Sequence, residues 1–83
     1  MKNQERELTL AQPATYQIKV PGVLDERCFT WNANLTITLE SAGDGKVTST
    51  ITSICDQAAL HGLLRRLYFL GLPLISVIWT GTI

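Results

Sequence analysis

From Tyr16 to Val20 apolar and polar residues alternate, Tyr16, Ile18 and Val20 against Gln17 and Lys19. That period of two lays one face of a strand on a core and turns the other to water. Pro21-Gly22 ends the run. The alternation returns in Leu35, Ile37 and Leu39 against Thr36, Thr38 and Glu40. It returns again from Val47 to Ile54, where Val47, Ser49 and Ile51 share one face and Thr48, Thr50 and Thr52 the other. Gly43-Asp44-Gly45 lies between these two runs. Asp-Gly at that place predicts a hairpin, because both residues tolerate positive φ. Between the first two strands, in "VLDERCFTWNAN", Asp25 can cap a short helical turn reaching Phe29 or Trp31.

After Asp56 the period changes to that of a helix. At about 100° per residue, Ala59, Leu60, Leu63, Leu64, Leu67 and Leu70 fall on one broad stripe. Asp56 is placed to cap the helix, and Gly71 supplies the left-handed residue that stops it. Pro73 then feeds a last strand, Leu74 to Trp79, in which Ile75, Val77 and Trp79 alternate with Leu74, Ser76 and Ile78. Being apolar on both sides, that strand should be covered on both sides.

The order strand, short helix, strand, strand, long helix, strand predicts an α+β fold. The arrangement expected is a ferredoxin-like split βαβ with a shortened first helix, a four-stranded antiparallel sheet and one long helix. Residues 1–14 are polar up to Gln12-Pro13-Ala14 and read as a flexible N-terminal arm. Residues 15–83 then make a single domain.

Composition sharpens the expectation of association. A chain of 83 residues buries only about 60% of its unfolded surface, so its core is marginal without a partner. Seven basic residues balance seven acidic ones. A neutral chain has no electrostatic pull toward nucleic acid or an anionic membrane, and it self-associates more easily. One helix cannot cover both faces of the sheet, so a homodimer packed sheet on sheet is one expected solution.

Other classes recede. The apolar stretch Leu67–Trp79 is shorter than the ~20 residues of a membrane span and is broken by Gly71 and Pro73. The first residues lack the apolar core of a secretory signal, and Cys28 and Cys55 belong to no C-x-x-C pair. A cytoplasmic chain with reduced thiols is expected. One histidine and two separated cysteines make no metal site, and no cofactor motif is present.

Candidate chemistry lies on the helix. Ala58, Gly62 and Phe69 fall opposite the apolar stripe. A glycine there costs about 1 kcal/mol against alanine, and an outward Phe adds nothing to a core. Both make sense where a second body approaches the helix, although single exposed apolar residues are common. His61, Arg65 and Tyr68 line a neighbouring flank at i, i+4 and i+7. An enzyme, a cofactor-free isomerase or cyclase, would use His61 as general base and Arg65 as anion clamp. A lone histidine on a helix flank is more often simply solvated. The favoured expectation is a non-catalytic homo-oligomeric module that binds a small molecule or a partner protein, with Trp79 on the last strand among its contacts.

The stretch "DQAALHGLLRRLYFLGLPLISV" resembles the C-terminal half of a set of small uncharacterised bacterial proteins. Their pattern runs D-Q-A-A-L-H-G-[LV]-L, then L-G-L-x-L-[IL]-S-V. "VPGVLDE", the aromatics Phe29 and Trp31, and "LTITLE" are similar to the N-terminal half, so the likeness covers residues 16 to 77. More distantly, the last helix and strand resemble ACT-like regulatory domains, which dimerise and bind small ligands. The resemblance implies the fold and no assigned activity; for sites it implies Gln57, His61 and Gly62. The chain departs at "LYFLG", where the family usually has a charged pair before Leu-Gly. That departure favours an interface at Tyr68 and Phe69.

Overall fold

A computed structural model describes residues 8–25, 27, 35–41 and 43–82. Four strands and one helix follow in the order β1 (Ala14–Pro21), β2 (Leu35–Ser41), β3 (Val47–Cys55), α1 (Gln57–Phe69) and β4 (Ser76–Thr82). The strands form one antiparallel sheet in which β1 pairs with both β3 and β4, and β2 pairs with β3. The fold is therefore α+β: a four-stranded antiparallel sheet with one helix among the described residues. The segment expected to hold a short first helix lies outside them, apart from Asp25 and Arg27.

The period of two does what the sequence predicts. Ala14, Tyr16, Ile18 and Val20 are all buried on the inner face of β1. Directly opposite residues share a face, so the register continues this face sideways. One rung runs Ile37, Ile51, Ile18, Val77 and the next runs Leu35, Ser53, Tyr16, Trp79. Leu60, Leu63 and Leu67 of α1 are buried against this face, with Leu24, Leu64 and Leu72 beside them. The outer face carries Thr36, Thr52 and Gln17, then Thr38, Thr50 and Lys19. There Glu40 accepts a hydrogen bond from Thr50 at 3.2 Å and pairs with Lys19 at 3.5 Å.

Both ends of α1 are capped through its own neighbours. Asp56 Oδ1 accepts from the Ala59 N–H at 2.9 Å. At the other end Gly71 takes φ +78°. Its N–H reaches the Tyr68 carbonyl, and the Leu72 N–H reaches the Leu67 carbonyl, both at 3.0 Å. These two bonds make a Schellman turn.

That turn corrects one expectation. Leu70 does not join the buried stripe; it is the C-cap residue and lies exposed, while Leu72 swings back against the core. The last strand is also displaced. It starts at Ser76 rather than Leu74 and runs past Trp79 to Thr82. Pro73 has no N–H to donate, and the chain first meets β1 when the Ile75 N–H reaches the Lys19 carbonyl at 2.7 Å. Farther on, the register shifts beside Thr15, so that Tyr16 faces Trp79 but Thr15 faces Gly81. The residue between them, Thr80, donates its hydroxyl to the Thr15 carbonyl at 3.0 Å.

The segment expected as an arm is described from Leu8 onward. The Leu10 carbonyl accepts from the Gln57 N–H at 3.1 Å, and Ala14 already opens β1. No helix among the described residues is long and apolar enough to cross a membrane.

Candidate functional site

Gln57 opens α1, and its side chain turns inward. Nε2 donates to the Tyr16 hydroxyl at 2.8 Å, joining the first turn of the helix to β1. Tyr16 is only 2% exposed, so its hydroxyl needs an internal partner, and Gln57 supplies one. The residue expected to meet a ligand is thus held by the fold.

His61 and Arg65 follow one and two turns on, and both are exposed. Among the described residues neither meets a hydrogen-bond or ion-pair partner, so both heads are open to solvent. Gly62 is exposed too, and a Cβ built on it would meet nothing within 4 Å. Nothing among the described residues requires a glycine there.

Tyr68 and Phe69 end the helix at 78% and 75% exposure. Their rings meet edge to face, with centroids 5.9 Å apart and planes at 64°. Edge-to-face contact is a favoured arrangement of two aromatic rings. Trp79 lies on β4 opposite Tyr16 and remains 39% exposed. It is therefore next to Gln57 through Tyr16, whereas Tyr68 and Phe69 sit at the far end of the helix.

Exposed apolar residues are concentrated in one stretch of chain. Leu70, Leu74, Ile75, Val77 and Ile78 join Tyr68, Phe69 and Trp79 in being large, apolar and exposed. No charged residue follows Arg66. The ridge leads from the C-terminal turn of α1 onto β4 and includes both faces of that strand. Exposed apolar residues gathered in this way mark an interaction site more often than singly scattered ones do.

Two features were not legible in the alternation. Ser49 is fully buried at the inner face of β3. Its hydroxyl accepts from the Leu24 N–H at 3.0 Å and donates to the Gly22 carbonyl at 2.7 Å. With the Gly22 N–H on the Val47 carbonyl at 2.7 Å, these bonds fasten the chain after β1 to β3. A serine placed where the pattern asks for an apolar residue was the available signal. Nearby, a depression of about 520 Å³ is lined by Val23, Leu24, Asp25, Arg27, Ile37 and Leu39. None of the expected site residues borders it.

At its rim Arg27 binds Asp25 through both its backbone N–H and its guanidinium, the shortest contact being 2.8 Å. These hydrogen bonds hold the Asp25 carboxyl below its ordinary value of 3.8. Cys55 is a half-buried free thiol that accepts from the Ser53 hydroxyl at 3.6 Å. No three His, Cys, Asp or Glu residues gather in metal-binding geometry among the described residues.

Comparison with curated proteins and with solved structures gives no match. A family model does match, over residues 15–78, so it takes in every strand from Thr15 through Ile78 and the whole of α1. With most of its length covered, the chain belongs to the family described as a domain of unknown function, DUF8691.

Proposed function

We propose that the chain is a homo-oligomeric association module, able to take up a small molecule or a partner protein and working without catalysis. In this reading the pairing order is that of a ferredoxin-like split βαβ unit, similar to ACT-like domains. The observation that carries the reading is the uncharged apolar ridge from Tyr68 to Trp79, which a lone chain leaves in water. The neutral net charge adds no repulsion between copies.

Native mass spectrometry across a dilution series tests it. A dimer or larger ring that dissociates on dilution is expected, and a monomer at every concentration would overturn the proposal. Truncating Phe69 to Ala should weaken assembly while circular dichroism stays that of the wild type.

A second reading is favoured by the open state of the His61–Arg65 flank. A cofactor-free isomerase or cyclase would use His61 as base and Arg65 to hold an anionic substrate group. That reading requires a turnover abolished by His61→Ala; a turnover left intact by the substitution would remove it.

A further inference from the structure

The two edges of the sheet differ in how they meet solvent. An edge strand presents unpaired N–H and C=O groups, and proteins guard such edges with charge, proline, a bulge or a cover. Among the described residues β2 and β4 are the edges. β2 is guarded by charge: beside the exposed Thr36, Thr38 and Leu39 it carries Glu40, and the turn after it carries Asp44 and Lys46.

Among the described residues β4 has no such guard along Ser76–Trp79. It contains no charged residue and no proline, and the register shift comes only after Trp79. Val77 and Trp79 project on the inner face and Ile78 on the outer face, all exposed. The rest of the outer face is mostly polar, with its Lys19–Glu40 pair, its threonines and one exposed isoleucine, Ile54, and such a face is content in water. Exposed large apolar residues of the sheet are therefore densest along β4, with Leu39 on β2 and Ile54 on β3 the others among the described residues.

We propose that β4 pairs antiparallel with β4 of a second copy, making one continuous eight-stranded sheet about a two-fold axis. The inference rests on the association reading above and specifies its geometry. A two-fold interface needs a surface complementary to itself, and an uncharged strand meets this condition in three ways. Its free backbone groups match those of an identical antiparallel strand. Its apolar side chains meet their own equivalents on each face, and no like charges are opposed. With the axis normal to the sheet, both α1 helices lie on the same side, and Val77 and Trp79 of the two copies become neighbours on that side.

Hydrogen exchange by NMR on the full chain, above and below the dissociation concentration found by native mass spectrometry, reads this directly. Alternate β4 amides between Val77 and Thr80 are expected to exchange slowly in the dimer and fast after dilution. Val77→Lys and Ile78→Lys, on opposite faces of the same edge, should each abolish the dimer. Thr38→Lys on the β2 edge should leave it intact. A dimer whose β4 amides exchange at one rate at all concentrations would overturn the edge geometry and leave the association reading standing. A monomer throughout would overturn both. If a lysine variant loses its circular dichroism signal, the exchange pattern of the wild-type chain decides alone.

Discussion

Gln57 and Tyr16, 41 residues apart in sequence, are joined by a hydrogen bond of 2.8 Å from the amide Nε2 to the phenol oxygen. The bond links the start of α1 to the middle of the strand beneath it, where Tyr16 is buried and Gln57 half-buried. A neutral bond of this kind is worth about 0.5–1.5 kcal/mol. Tyr16→Phe should cost that much, because the freed Gln57 amide can still reach water. Gln57→Ala should cost more, because it leaves the buried Tyr16 hydroxyl without this partner, and the double variant should cost less than the sum of the two. Urea denaturation of the four forms gives the coupling; fully additive losses would count against it.

Ser49 is the more costly residue to lose. Ser49→Ala leaves the Leu24 N–H and the Gly22 carbonyl without their side-chain partner, and unmet buried polar groups cost about 1–3 kcal/mol. A drop in denaturation midpoint of that size is expected, along with faster exchange of the Leu24 amide. An unchanged Leu24 amide would mean that another group holds this loop.

Gly62 should respond in the opposite direction. A methyl group at this exposed helical position meets nothing within 4 Å among the described residues, so Gly62→Ala should stabilise the fold by about 1 kcal/mol. The dimer constant is expected to stay unchanged, since Gly62 lies about two helical turns before the apolar stretch that starts at Tyr68 and leads into β4. A variant that is more stable yet associates less would bring the partner to the outer face of α1.

Asp25 carries the pH prediction. Its carboxyl is held below 3.8 first by its side-chain hydrogen bonds with Arg27 and then by the Arg27 N–H. A depressed folded-state value means that the contribution is complete above 3.8 and is lost as the pH falls through the folded-state value. The pair is solvent-exposed, so the effect on global stability is small. Carboxyl carbon shifts should show Asp25 titrating below 3.8, and Arg27→Ala should return it to the ordinary range.

What the sequence made legible follows the locality of each signal. Tyr16, Ile18 and Val20 announce β1 because each tells its side by parity alone. Asp56 and Gly71 bracket α1 because caps act within a few residues. Leu70 and Leu72 were harder: both are leucines, and only the turn at Gly71 decides which returns to the core. The bonds Gln57–Tyr16 and Ser49–Leu24 join residues 41 and 25 positions apart, and no local period encodes such distances. For the same reason His61, Arg65 and Tyr68 could be placed on one flank from their spacing. That Trp79 lies near Gln57 while Tyr68 lies at the other end of the helix needed the strand register.

If copies join through β4 as proposed, the contrast between β2 and β4 also sets where growth ends. In the language of polymer chemistry, a sheet with two reactive edges is a bifunctional monomer and can extend without limit. One whose second edge carries Glu40 among exposed threonines is monofunctional. Joining through β4 consumes the reactive end of each copy and leaves only β2 edges outward. The same strand that makes a lone chain adhesive would then make the pair inert, and chain termination would be written into the sheet.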